Sequence, residues 1–311
     1  MMDANAEQLR TLAAVVDHGT FERAALALHI TPSAVSQRVK ALEEQAGRVL
    51  VRRSKPIEPT AAGRVLLRLA RQVALLEAEA AAELDAVGGE LTSIPLVVNA
   101  DSLATWVLPA LASLPHLVFD VTLDDQEHTL DRLRDGTAMA AIGSDAEPVQ
   151  GCTVTPLGEM VYRPAASPAF LERWAREGWS PEAAAVAPML VYDRKDALQD
   201  RYLDRFAPGV RPPRQYIPAS TEFVRATELG LGWAMLPDLQ LGEALAGGRL
   251  VALDDDGAEA VPLHWHQWSM RSETLAAVAD AIATRAAAVL RPTGSTARGR
   301  ARPRTGRRSP A

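Results

Sequence analysis

One segment constrains the fold more than any other: residues 31–47, TPSAVSQRVKALEEQAG. Thr31 suits an N-cap, Pro32 suits the first helical position, and Gly47 supplies the left-handed residue that ends a helix. Wound at the helical period, Val35, Val39, Leu42 and Ala46 fall within an arc of about 60°. Ser33, Ser36, Gln37 and Lys40 fall within about 100°, centred on the other side. One face must therefore pack, and the other presents hydroxyls, an amide and an ammonium. Two short helices before it can supply the packing surface. Residues 6–18 carry Leu9, Leu12, Ala13 and Val16 at helical spacing and are stopped by Gly19-Thr20. Residues 21–28 place Phe21, Ala24, Ala25 and Leu28 on one side.

The segment VLVRRSKPIEP at 49–59 predicts a strand, a tight basic turn and a return strand, kept short by its prolines. Thr60 then caps a long helix reaching to about Val87. Its Leu66, Leu69, Val73, Leu76, Ala80 and Val87 follow a 3-4 alternation broken only at Glu83. Such a seam needs a partner helix. Gly88-Gly89 ends the helix and serves as a hinge. From Ile94 onward the pattern changes: short apolar strands (PLVVNA, VFDVTL, AMAAIG, MLVYD) alternate with helical stretches (ATWVLPALASL, TLDRLRDG), which is an α/β signature. Residues 291–311 are rich in Arg, Pro, Gly and Ser and are expected to be disordered.

A net charge of −6 over 311 residues argues at first against nucleic acid. Its distribution argues the opposite. Residues 1–65 hold 9 Lys/Arg against 7 Asp/Glu, and 291–311 hold 7 Arg and no acid; the middle, 66–290, holds 17 basic and 32 acidic residues. Phosphate repels that middle, so contact with DNA must come from an end. No apolar stretch approaches the length of a membrane span. The beginning MMDANAEQLR lacks the order of a signal peptide, and a single cysteine, Cys152, excludes an intrachain disulfide and a thiolate zinc cluster. These features point to the cytoplasm, with association with the nucleoid through DNA.

The polar face of the third helix suits a major groove. Gln37 can pair with adenine through its amide, while Arg38 and Lys40 suit phosphate or guanine. Arg52, Arg53 and Lys55 at the hairpin tip suit the DNA backbone or an adjacent minor groove. Together with Thr31, Ser33 and Ser36 these form the expected DNA-contact set.

The stretch FERAALALHITPSAVSQRVKALEEQAGRVLVRR closely resembles the DNA-binding domain of LysR-type transcriptional regulators. The resemblance extends through GLGWAMLP at 230–237 and covers about residues 6–290. It implies an N-terminal winged helix-turn-helix (1–59), a long dimerising linker helix (60–89) and an α/β, two-lobed effector domain like a periplasmic binding protein (90–290). Lobe I would span about 90–162 and 264–290, lobe II about 163–263, with the Arg-rich tail (291–311) outside the pattern. A homodimer, or a homotetramer, acting on double-stranded DNA follows from the resemblance, with RNA polymerase as a further candidate partner and no cofactor.

For the effector domain, the residues alone leave the ligand open. ADSLATW places Ser102 and Thr105 at a helix start, where free N–H groups favour an anion such as a carboxylate. PASTEFVRA does the same for Ser220, Thr221 and Glu222. Acidic residues lie between: Asp124, Asp125 and Glu127, then Asp193 and Asp196, able to pair with an ammonium or guanidinium. VNADSLATWVLPAL, EFVRATELGLGWAMLPDLQ and LHWHQW at 263–268 resemble the LysR subgroup that senses lysine and arginine and controls basic amino-acid export, a subgroup also described as inhibiting replication initiation. That resemblance implies a pocket of Ser102, Leu103, Thr105, Trp106, Asp124, Asp193, Thr221 and Glu222. His264 and His266 share a strand face, but a metal site needs three or four ligands and no third is apparent; packing is the expected role. Cys152 is expected to be a partly buried small residue. Two other readings stand beside the regulator. One is a ligand-independent architectural or replication-control protein on A/T-rich DNA, which an effector response would exclude. The other is an amino-acid-using enzyme, for which no Ser-His-Asp order, phosphate loop or metal cluster is present.

Overall fold

The computed structural model describes residues 4–84, 93–123 and 129–294. It opens with three helices, α1 (Ala6–His18), α2 (Phe21–Ala27) and α3 (Pro32–Ala46). Each start is capped by a side chain: Asn5, Thr20 and Thr31 accept from Gln8, Arg23 and Ala34 backbone N–H groups. Leu9, Leu12, Val15, Ala24, Ala25, Val35, Val39 and Leu42 interlock in one small core. The short hairpin β1 (Val51–Arg52) and β2 (Glu58–Pro59) follows, paired Val51 to Pro59 and Arg52 to Glu58.

Thr60 caps α4 (Ala61–Glu83), accepting from Gly63 N–H at 3.0 Å. Gly63 is required there: a Cβ would lie 1.9 Å from the Leu50 carbonyl oxygen. The helix serves two cores. Leu66 and Ala70 complete the N-terminal core, with Leu69 and Val73 at its margin, whereas Leu75 enters the core of the second half. The expected seam is thus partly satisfied within the chain, because Leu66, Leu69 and Val73 pack on the helix-turn-helix unit rather than waiting for a partner. Val65 and Leu76 stay exposed, at 69% and 47%. Val87 and Gly88-Gly89, expected to end the helix and form a hinge, lie outside the described residues.

Polar contacts bind α4 to both sides. Arg71 pairs with Asp17 at 2.5 Å and Arg10 with Glu77 at 3.1 Å. Toward the second half, the Arg68 guanidinium donates to the Gly151 and Gln150 carbonyls and stands 5.4 Å from the Trp268 ring centroid. Glu79 accepts from Ser272 Oγ and Thr274 N–H.

The second half is a βα alternation. It runs β3 (Ser93–Val98), α5 (Ala100–Ser102), a π-helical turn (Leu103–Val107), α6 (Leu108–Ala112), β4 (Val118–Leu123), α7 (Thr129–Arg134), β5 (Ala140–Gly143) and the long β6 (Cys152–Ala166). Then follow α8 (Pro168–Trp174), α9 (Pro181–Val186), β7 (Met189–Val191), α10 (Leu198–Phe206), β8 (Arg214–Tyr216), α11 (Ser220–Glu228), β9 (Ala234–Pro237), α12 (Asp238–Ala246), β10 (Val251–Ala252), β11 (Glu259–Trp268) and α13 (Glu273–Val289). β3 pairs in parallel with β4 and β5, and β11 runs antiparallel between β5 and β6. The far end of β6 pairs instead with β9 and β10, while β7 pairs with β8 and touches the approach to β9. Two lobes result, and β6 and β11 are the strands that pass between them. No helix among the described residues is long and apolar enough to cross a membrane. Arg291, at the head of the basic stretch, is held by Glu159 at 2.6 Å; residues 295–311 lie outside the described residues.

Candidate nucleic-acid interface and effector site

Burial divides α3 as the sequence pattern predicts. Val35, Val39 and Leu42 are buried, while Ser33, Gln37 and Lys40 are exposed and Ser36 and Arg38 half-exposed. Thr31 spends its hydroxyl on the cap. Arg38 pairs with Glu7 at 3.1 Å and Lys40 with Glu44 at 3.6 Å. These surface pairs are weak enough to yield to phosphate. Arg52, Arg53 and Lys55 are exposed, and Arg53 stacks over the Phe21 ring at 5.7 Å. The structure thus gathers all nine candidate residues on α3 and the neighbouring hairpin, with none in the core.

The effector candidates are brought together less evenly. Ser102 is fully buried at the end of α5, and its Oγ has no hydrogen-bond partner among the described residues. Leu103 and Thr105 are half-buried, and Thr105 Oγ1 donates to the Asp101 carbonyl at 2.6 Å. Trp106 sits wholly in the hydrophobic core, its Nε1 unpaired among the described residues. Asp193 is half-buried in the loop after β7, where its Oδ1 accepts from the Lys195 and Asp196 N–H groups. Thr221 and Glu222 are exposed on the first turn of α11. Asp124 lies outside the described residues.

The residue that joins the lobes is Asp101, which sequence reasoning passed over in favour of the Ser and Thr beside it. Its Oδ1 accepts from Ser220 Oγ at 2.6 Å, across to lobe II, and its Oδ2 accepts from Tyr162 OH at 2.8 Å, on the connecting strand β6. Gln240 on α12 donates to Ser220 Oγ at 3.1 Å. Part of Asp101 stays accessible, yet burial raises its carboxyl above the usual carboxylate range. The hydrogen bonds from Ser220 and Tyr162 oppose that shift, and the charge of Asp196 adds to it. Burial likewise raises the Tyr162 and Tyr192 hydroxyls, with the Asp101 charge reinforcing the shift in each. No cation pairs with Asp101 among the described residues. The signal available in the sequence was an acid in the first turn of a helix that also held Ser102; read alone it looks like an ordinary dipole partner.

His264 and His266 share the β11 face, their ring centroids 6.4 Å apart. Among the described residues no group of three His, Cys, Asp or Glu side chains could hold a metal ion. His266 is fully buried, and its Nε2 lies 2.9 Å from the Asp145 carbonyl. Burial lowers its pKa. Cys152 is half-buried beside Arg68, and burial pushes its thiol up, which is the reverse of a reactive thiolate.

A helix-turn-helix unit with an exposed polar helix, tied by a long helix to a two-lobed binding domain, defines a bacterial regulator that couples DNA to a small molecule. The chain belongs to the LysR family: residues 6–64 match the bacterial regulatory helix-turn-helix protein of the lysR family, and 91–287 match the LysR substrate binding domain. It is 44% identical over 289 residues to the HTH-type transcriptional regulator LysG of Mycobacterium tuberculosis, covering 91% of this chain and 94% of that one. It is 41% identical over 295 residues to the lysine export transcriptional regulatory protein LysG of Corynebacterium glutamicum, covering 93% and 100%. The full-length structure of C. glutamicum LysG with bound effector Arg superposes with a TM-score of 0.72 at 38% identity, over 93% of this chain and 100% of that one.

Proposed function

We propose that this regulator senses a basic amino acid, lysine or arginine, between its lobes and controls transcription of a basic amino-acid exporter gene. The observation that carries the amino-acid part of the reading is the largely buried Asp101 carboxylate, which links the two lobes and has no cation partner among the described residues; the basic side chain is drawn from the relatives. A largely buried carboxylate that has hydrogen-bond donors but no counter-charge is costly, and a cationic ligand relieves the cost. One relative supports the same chemistry twice over: C. glutamicum LysG carries lysine export in its name, and its full-length structure holds Arg as effector. The reading of the chain as a ligand-independent architectural protein draws no support from the relatives.

The DNA contacts fall to the exposed face of α3, with Ser33, Ser36, Gln37, Arg38 and Lys40 at bases and phosphates, and to Arg52, Arg53 and Lys55 at the hairpin. Thr31 fixes the helix start. A homodimer is the minimum unit, joined through the exposed remainder of α4 around Leu76. The protein works at the nucleoid, in the cytoplasm. Calorimetric titration of the full chain with all twenty amino acids tests the effector. Lysine and arginine should bind, and their addition should change the affinity for operator DNA. Binding of neither overturns the effector assignment and leaves the family assignment intact.

A further inference from the structure

The surroundings of Asp101 match one end of an amino acid better than the other. Within three residues stand two acceptors, the Asp101 carboxylate and Asn99 Oδ1, the latter buried without a partner among the described residues. Next in sequence is the hydroxyl of Ser102, fully buried and also without a partner among the described residues, and across from Asp101 stands Ser220 Oγ, which spends its proton on the Asp101 carboxylate. Ser220 is in addition held by Gln240. An α-ammonium and an α-carboxylate are bonded to the same carbon, so their site must offer acceptors and donors side by side. A side-chain ammonium or guanidinium needs acceptors alone.

We infer that Asp101 takes the α-ammonium of the effector, with Asn99 Oδ1 as its second acceptor, and that Ser220 and Ser102 turn their hydroxyls to the α-carboxylate. The proposal rests on the amino-acid reading above and deepens it. It makes Asp101 a determinant of the amino-acid head group, leaving selectivity for the basic side chain to other residues. It also gives binding a mechanical consequence. The Asp101–Ser220 hydrogen bond that joins the lobes is exchanged for two bonds through the ligand, so the lobes' relative placement becomes a function of occupancy.

The test compares arginine, Nα-acetyl-arginine and norleucine by calorimetry on the full-length wild type and on Asp101→Asn. Acetylation removes the head ammonium; norleucine keeps the head and removes the side-chain charge. Wild type should lose at least tenfold in affinity on acetylation. Asp101→Asn should lose as much for arginine, lose little more for Nα-acetyl-arginine, and weaken norleucine too. If the variant weakens arginine but leaves norleucine untouched, Asp101 serves the side chain and the inference fails. If wild type binds Nα-acetyl-arginine as well as arginine, it fails without recourse to any variant, so a folding defect in Asp101→Asn cannot hide the result. If wild type binds neither lysine nor arginine but binds another α-amino acid that Asp101→Asn weakens tenfold, the effector class falls and the head-group assignment stands. Binding of no α-amino acid overturns both.

Discussion

The candidate DNA-reading face and the candidate effector site are built on opposite plans. On α3 and the hairpin, every candidate residue lies within 25 positions of sequence, Thr31 to Lys55, and points outward from a core that other residues make. At the candidate effector site, the linked polar groups come from Asp101, Tyr162, Ser220 and Gln240, spread over most of the second half. A local, exposed site leaves its imprint in one helical period. A site assembled at a junction has no period, because its members sit on different elements and become neighbours only when β6 and β11 carry the chain between lobes.

If the two regions are as separate as their cores suggest, damage to one should spare the other. Leu42 is fully buried in the N-terminal core. Leu42→Ala should cost about 2–5 kcal/mol in that unit, the range for deleting a buried leucine side chain. Calorimetry should show an earlier melting step and lost DNA binding, with effector affinity unchanged. Loss of effector affinity as well would mean that α4, which feeds Leu75 into the second core, makes the two halves one cooperative unit.

The outward plan predicts that α3 mutations act on recognition rather than stability. Gln37→Ala should weaken binding to the preferred operator by roughly 1–3 kcal/mol and relax discrimination at one base pair. Its melting temperature should match the parent's. Equal affinity of variant and parent across operator variants would remove Gln37 from the readout set. At the hairpin the effect is smaller and sequence-independent. Arg52→Ala should make the slope of log affinity against log salt shallower by about one unit, the mark of a lost phosphate contact. Arg53 is the less clean probe, since its stacking on Phe21 would be lost with its charge.

How much was legible follows from the same contrast. The three helices, their caps and the division of α3 into buried and exposed faces all follow from short-range periodicity and capping chemistry. The alternation of strands and helices after Ile94 identified the α/β half. The seam on α4 was read correctly as apolar but assigned too simply: periodicity shows that a stripe must be covered, not whether α1 of the same chain or a partner covers it. Leu69 therefore belongs to the folding of the N-terminal unit, and Leu76 is the position at which a charge tests dimerisation alone. In the second half, helix-start chemistry singled out Ser102, Thr105, Ser220, Thr221 and Glu222, and the resemblance carried Thr221 and Glu222, not Ser220, into the expected pocket. Thr221 and Glu222 prove exposed, and their neighbour Ser220 makes the interlobe bond. A one-residue difference at a helix start turns a side chain by about 100°, more than pattern reasoning resolves.

The smallest effect separates the two plans by sign. A site evolved for recognition outside a core should be neutral for stability, whereas a buried anion without its ligand should be a burden. Asp101 shows the signature, because burial raises its pKa in the folded chain despite two hydrogen bonds. The unfolded chain then holds fewer protons than the folded chain over the window from the ordinary carboxylate pKa up to the raised one. Folding therefore gains stability from this group as pH falls into that window, and loses it as pH rises through the raised value. Asp101→Asn, which cannot ionise, lacks this dependence. Effector-free Asp101→Asn should melt no lower than the parent at neutral pH, and the parent should gain on it as the buffer is acidified toward the ordinary carboxylate pKa. Arginine at one fixed excess concentration should stabilise the parent more than the variant, since stabilisation by a ligand rises with the logarithm of its concentration over Kd. A variant that melts well below the parent at neutral pH in the absence of effector would show that the hydrogen bonds to Ser220 and Tyr162 outweigh the burial of the charge, making Asp101 a structural fastener rather than a group held for a cation.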